Sequence, residues 1–229
     1  MYRRYEMGLV RPDGRQGLNT PTGKIEIWST IMETFYPEKS DILPDYREAP
    51  QSRVARPDLE EEYPFIVNTG RRIPTYFHSE HRQLPWCREL WPAPRMEMNP
   101  ADAEKLGLGQ GDWAWIENEN GKIRQTVDLY HGIEPGIVNC EHQWWFPELE
   151  QASRGFELTG VNCLVPRNDQ DRHCGSSYLR AYPAKIYKAT PENSPFGNPV
   201  PCGDDGTEII YRASDERLKE WLPDYEGRD

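Results

Sequence analysis

Proline and glycine interrupt this chain so often, 21 and 18 times in 229 residues, that a helix of ordinary length has room in only a few windows. What lies between the breaks is short and mostly alternating. Lys24–Ser29 alternates as a half-buried strand after a Thr20-Pro21-Thr22-Gly23 turn, and Ile31–Tyr36 suits a short helix. An acidic, Pro-rich linker then runs to about residue 62, and Phe65-Ile66-Val67 reads as a buried strand ending in Asn68-Thr69-Gly70. Asn99–Leu129 is the clearest local unit. Asn99 is an N-cap, Pro100 stands at the first helical position, Asp102 is the acid of the first turn, and a helix Pro100–Leu106 stops at Gly107. Strands Trp113–Glu117 and Lys122–Val127 follow, joined through Asn120-Gly121, a dipeptide suited to a type I′ turn. Further strands are expected at Gly136–Glu141 and Ala184–Tyr187. This pattern predicts a mainly β barrel or sandwich with short helices and long loops. It is organised as an extension and linker over 1–62, a domain over 63–190 and a polar tail over 191–229.

Charge and cysteine usage narrow the function. A net charge of −11 argues against a general nucleic-acid binder, whose footprint is basic. No apolar run is long enough to span a membrane, and Met1 opens no secretory signal. The five cysteines contain no C-x-x-C pair, so they offer neither a local zinc or iron–sulfur signature nor a disulfide framework, and reduced thiols are expected. Against this acidic background Tyr63–Gln83 carries Arg71, Arg72, His78 and His81 just beyond the Phe65–Val67 strand. Guanidinium forks and the backbone N–H of Gly70, with Thr69 beside it, suit an anion such as phosphate; the alternative is a strand-end turn with two solvated arginines. The H-x-x-H spacing of His78 and His81 would suit zinc on a helix, but Pro74 opposes a helix there, and no other ligand pair stands nearby.

Five segments in order, NTPTGKIEIWS (Asn19–Ser29), NTGRR with its histidines, NPADAEKLGLGQGD (Asn99–Asp112), EHQWWFPE (Glu141–Glu148) and GVNCLVPRNDQD (Gly160–Asp171), resemble the C-terminal domain of the dimethyl sulfoxide reductase family of molybdenum and tungsten oxidoreductases. The resemblance is nearest to the formate-dehydrogenase-like, thiosulfate- or polysulfide-reductase-like and acetylene-hydratase-like branch. It implies a six-stranded double-psi β-barrel over 63–190 that binds and caps molybdopterin guanine dinucleotide, two per metal, with molybdenum or tungsten held by the pterins. The protein ligand of the metal and any iron–sulfur cluster would belong to upstream domains. The chain would then correspond to the last third of a catalytic subunit, inactive alone and partnered by the remaining domains, with an iron–sulfur electron-transfer subunit as a further partner. A cytoplasmic setting is expected, or a periplasmic one where the parent carries a twin-arginine signal.

The resemblance makes Thr69, Gly70, Arg71 and Arg72 a pterin or pyrophosphate clamp, and His78 and His81 donors to a pterin or phosphate. Asn99 and Asp102 enter as a helix N-terminus near the dinucleotide. His142, Gln143 and Trp144 become pterin contacts, with Gln143 standing where glycine is the expected residue. Trp145 and Phe146 are read as a hydrophobic plug. Asn162 and Asp171 lie in a loop that the family places near a dinucleotide, with an Asx-turn as the alternative for both. For Arg180 and Lys185 a solvated side chain is the favoured reading. No residue of this chain is assigned a catalytic or metal-ligating role. Two rival expectations stand beside this one: a stand-alone double-psi-barrel binding module without metal, and a scaffold fragment docking through Trp144–Phe146.

Overall fold

In strand β2 (Arg95–Met98) Met96 and Met98 are buried while Arg95 and Glu97 stay half-exposed, and Phe65–Asn68 and Ile137–Cys140 alternate in the same way, whereas Trp113–Ile116 and Ile123–Val127 are buried on both faces. Each strand therefore has at least one face to bury, and burying these faces together closes a barrel. The computed structural model describes residues 2–36, 42–71, 73–168, 170–194, 197, 198, 200 and 208, with the backbone alone of Arg71. Arg72 and most of the 191–229 tail lie outside the described residues.

Among the described residues the strands are β1 (Phe65–Arg71), β2, β3 (Trp113–Asn118), β4 (Gly121–Leu129), β5 (Ile137–Glu141) and β6 (Arg180–Lys188). They close in the order β1-β5-β2-β4-β3-β6. Two pairs are parallel, β1 with β5 and β2 with β4, and the remaining seams are antiparallel. This mixed, closed arrangement is the double-psi barrel of the sequence expectation. Val67, Met96, Met98, Ile116, Ile123, Val138, Cys140 and Ile186 fill its interior.

Helix α3 (Pro100–Lys105) starts as expected: Asn99 Oδ1 accepts from the Ala101 N–H at 3.0 Å, and Pro100 occupies the first turn. The β3–β4 hairpin forms with a different turn. Asn118 pairs with Gly121, so Glu119 and Asn120 make the loop, and neither has positive φ. Asn118 Oδ1 closes it by accepting from the N–H groups of Asn120 (2.9 Å) and Gly121 (3.2 Å). Glycine is needed at 121 for space, because a Cβ there would sit 2.6 Å from the Cys163 carbonyl oxygen. Strand β6 is longer than the expected Ala184–Tyr187 and runs through Pro183. Since β3 pairs with β6 only from Lys185 onward, Pro183 has a single neighbouring strand and its missing donor is tolerated. Strand β2 and helix α2 (Pro85–Leu90) have no counterpart in the sequence reading.

The chain divides into two compact units, Met1–Glu48 and Ala49–Asp229, the second holding the barrel. In the first, α1 (Thr30–Phe35) is capped by Ser29, whose hydroxyl accepts from the Met32 N–H. The expected strand Lys24–Ser29 does not form. Glu26 is tied instead to the Thr22 N–H and hydroxyl and to the Thr30 hydroxyl at 2.9, 2.8 and 2.7 Å, which folds the segment into turns.

Candidate functional site

Because β1 and β5 are parallel neighbours, with Thr69 opposite Cys140 and Arg71 opposite Glu141, the loops that follow them leave the same end of the barrel side by side. The β1 loop carries His78 and His81; the β5 loop carries His142, Gln143 and Trp144. They meet. His142 Nε2 lies 3.3 Å from His78 Nδ1, one nitrogen donating and the other accepting, and Trp145 Nε1 donates to the Ser79 carbonyl at 2.6 Å.

This rim is backbone-strained. His78, His81 and Gln143 have φ of 49°, 71° and 57°, a region that costs a residue with a Cβ about 1 kcal/mol. Gln143 thus adopts the left-handed conformation that explains the expectation of glycine there. Residues 78–81 form turns, so His78 and His81 do not share a helical face.

Beneath the rim sits a packed aromatic floor. Trp144 is completely buried, edge-on to Tyr76 at 5.4 Å and against Phe146 at 6.2 Å. Arg82, only 1% exposed, lies over the rings of Tyr76 (4.0 Å) and Trp144 (4.6 Å), and its Nη1 donates to the Glu80 carbonyl at 2.9 Å. Burial holds the Arg82 guanidinium down, to about 10, and pushes the Tyr76 phenol up. Arg88 clamps the floor to the β5 loop by a two-pronged ion pair with Glu148, at 3.1 and 2.8 Å. Trp144 is thus packed into the floor beside Phe146. Phe146 is buried as expected, while Trp145 is half-exposed.

Asn99 and Asp102 are occupied in holding the β4–β5 connection. Asn99 Nδ2 donates to the Ile133 carbonyl at 2.8 Å, and buried Asp102 accepts from the Gly136 N–H at 2.6 Å and from Lys105 at 3.1 Å. Asn162 is exposed in a 3-10 turn, Val161–Leu164. Asp171 makes the Asx-turn: its Oδ1 accepts from the N–H groups of His173 (3.0 Å) and Cys174 (2.8 Å), which pull its carboxyl down to about 2. Lys185 is ion-paired to Glu117 (3.1 Å) and Glu62 (3.4 Å), so it is no free cation.

On the outer face of the barrel, next to the strand end, lies a cleft of ≈ 520 Å³ whose walls include Asn68, Thr69, Gly70, Glu97, Asn139 and Arg180. Thr69 is anchored there by donating its hydroxyl to the Leu179 carbonyl at 2.5 Å. Gly70 is a strand residue, not the turn the sequence suggested, and a Cβ on it would meet nothing within 4 Å, leaving open space at the cleft wall. The register of β1 slips against both neighbours here, between Thr69 and Arg71 against β5 and between Val67 and Asn68 against β6. Ala181, at φ 63°, is the extra residue of the second slip, and it carries Arg180 into the cleft wall. Asn68, Glu97 and Asn139 escaped the sequence reading because only strand pairing brings them to the site, and Arg82 because only packing over Tyr76 and Trp144 places it in the floor. For this mixed set of amides, carboxylate, guanidinium and imidazoles, a polar heterocycle bearing phosphate is a fitting ligand.

A family model described as a molydopterin dinucleotide binding domain matches residues 65–182, from β1 into β6. The chain is 52% identical to dopamine dehydroxylase of Eggerthella lenta across all of its own length and 24% of that protein. It is 33% identical to acetylene hydratase of Syntrophotalea acetylenica over 69% of this chain and 20% of the relative. The solved structure of acetylene hydratase from Pelobacter acetylenicus superposes with a TM-score of 0.67 at 30% identity, covering 76% of this chain and 24% of that one. The chain thus spans about a quarter of the length of these relatives.

Proposed function

The chain belongs to the molydopterin dinucleotide binding domain family of the dimethyl sulfoxide reductase class, and from that premise we propose that it binds and caps the bis-molybdopterin guanine dinucleotide of a molybdenum or tungsten oxidoreductase, as the C-terminal part of the catalytic subunit. The observation that carries the reading is the shared rim. The family match spans β1 and β5, and the loops that follow these parallel strands share the His78–His142 contact, which supports a common ligand-facing rim.

Each residue has a stated task. The Gly70 N–H and the Arg71 and Arg72 guanidiniums neutralise pyrophosphate. His78, His81 and His142 donate or accept at the mixed edge of a pterin, and Gln143 narrows the pocket between them. Asn162 and Asp171 approach a dinucleotide from the β5–β6 connection. Arg82 and Tyr76 act through the rim by fixing its floor, and Trp144, packed in that floor, backs the pterin. The bound metal and dithiolenes supply the electron or group transfer; the protein binds, orients and excludes water. Any iron–sulfur cluster belongs to other domains or a partner subunit. The expected compartment is the cytoplasm, or the periplasm if the parent chain carries a twin-arginine signal. No helix among the described residues is long and apolar enough to cross a membrane.

The test is to isolate the native assembly anaerobically with this chain as bait, and to measure molybdenum, tungsten, pterin and partner masses. Metal and pterin are expected with a larger polypeptide, and Arg71→Ala is expected to lower their occupancy. A lone chain free of metal and pterin overturns the reading in favour of a metal-free binding module.

A further inference from the structure

Two cross-strand rows lie side by side on the outer face of β4, β3 and β6. Arg124 pairs with Trp115 and Trp115 with Tyr187; Lys122 pairs with Glu117 and Glu117 with Lys185. Their neighbours Ala114, Ile116, Ile123 and Ile186 face the core. Trp115 is the centre of the patch. Lys122 Nζ lies 4.6 Å and the Arg124 guanidinium 4.7 Å from the centre of its ring, and the Tyr187 ring stacks on it at 6.5 Å. The carboxylates of this face are committed to other groups. Glu117 accepts from Lys185 at 3.1 Å and from the Tyr187 hydroxyl at 2.5 Å, and Asp112 takes Lys188 at 2.9 Å. Among the described residues neither Lys122 nor Arg124 makes an ion pair. Arg124 is 4% exposed, its Nε has no partner, and burial alone holds the guanidinium below its ordinary value. In a chain of net charge −11, two unpaired cations on one indole ring set this face apart.

The chain's own residues beyond β6 cover the patch. Trp115 Nε1 donates to Asn193 Oδ1 at 2.9 Å, and Arg124 Nη1 donates to the Gly197 carbonyl at 2.6 Å and to Asn198 Oδ1 at 2.9 Å. Every one of these acceptors is neutral. They satisfy donors but leave a buried positive charge without its counter-charge. We propose that this face is a docking surface for an acidic polypeptide segment, occupied in cis by the chain's own Asn193, Gly197 and Asn198 until such a segment displaces them. The cis contact displays the chemistry accepted: an amide oxygen on the indole N–H, and a carbonyl and an amide oxygen on the guanidinium. A carboxylate in place of the Asn198 amide keeps that hydrogen bond and adds the missing charge. Tethering gives the cis residues a high effective concentration, so a competitor needs the added charge to displace them. A peptide suits the face better than a nucleic acid, because Lys122, Arg124 and Tyr187 already lie against Trp115 and leave it 9% exposed, with no open face for a base.

The test follows the Trp115 indole N–H signal by NMR in the full 229-residue chain, assigned with Trp115→Phe. The probes are a peptide of residues 190–201 and the same peptide carrying Asn193→Asp and Asn198→Asp. The acidic peptide is expected to shift the signal and to bind about tenfold more tightly than the unchanged one, an advantage that falls as salt is raised. Lys122→Gln, at an exposed position, is expected to weaken the acidic peptide about threefold at an unchanged melting temperature. Asn198→Asp within the chain itself should lower binding about tenfold, since the cis residues then supply the carboxylate. Asn193→Ala should raise binding by loosening the cis contact. Equal binding of the two peptides, no shift at millimolar peptide, or unchanged affinity in Lys122→Gln overturns the proposal. A shift produced by a dodecathymidylate and not by the acidic peptide overturns it in favour of a nucleic-acid site.

Discussion

Arg88 shows how a charge is kept inside this protein. Its guanidinium is almost wholly buried, and the two prongs to Glu148 join α2 to the segment that follows Trp144 and Phe146. Removing one partner leaves the other charge buried without compensation, which costs more than the pair contributes when intact. Arg88→Ala is therefore expected to lower the unfolding free energy by about 3 kcal/mol, read as a fall in the urea midpoint at unchanged m. Adding Glu148→Ala should recover part of that loss, since the stranded carboxylate is then gone. Gln143 is the opposite case. It occupies a left-handed conformation and its buried Oε1 has no partner, two costs that glycine would not carry. Gln143→Gly is expected to stabilise the free chain by about 1 kcal/mol. If the same change lowers pterin content in the native assembly, the glutamine is held at that position for the cofactor and not for the fold.

At the scale of elements, local chemistry that closes within a few residues was legible in the sequence, and pairing between distant strands was not. The Asn99–Pro100 start of α3 and the strands β3, β4 and β5 follow from capping, proline placement and alternation, and each appears within a few residues of its expected limits. Strand β2 was missed because four residues give too short a pattern, and it is stable only between β4 and β5. The histidine rim was half legible. Its residues were named, but their meeting depends on the parallel β1–β5 seam, which no local signal encodes. The cleft lining was illegible for the same reason, because Asn68, Asn139, Glu97 and Arg180 come from four different strands. Gly121 illustrates a correct residue with a different physical cause, packing against the Cys163 carbonyl in place of a positive φ. Gly121→Ala should therefore push a strand against a backbone atom that cannot swing aside. The expected loss is about 2 kcal/mol in chemical denaturation, whereas a turn-type explanation would place the sensitivity at Glu119 and Asn120.

At the scale of the whole molecule, the two units differ in what holds them together. The barrel unit has a continuous apolar interior and a second cluster under the rim. In the Met1–Glu48 unit no residue of α1 is buried, while Ile25, Ile27 and Phe35 are 81%, 70% and 72% exposed. Its order rests on short-range bonds such as those around Glu26, which are worth little against the entropy of fixing the backbone. Stability should follow the buried apolar surface and so reside in the barrel. A chain beginning at Ala49 is expected to unfold in one cooperative transition with the urea midpoint of the full chain, and residues 1–48 alone to show no cooperative transition by circular dichroism. Amide exchange on the full chain should agree, with protection strong in β1–β6 and weak before Glu48. A truncated chain that lost its cooperative transition would mean that buried apolar surface within residues 49–229 does not suffice to hold the barrel.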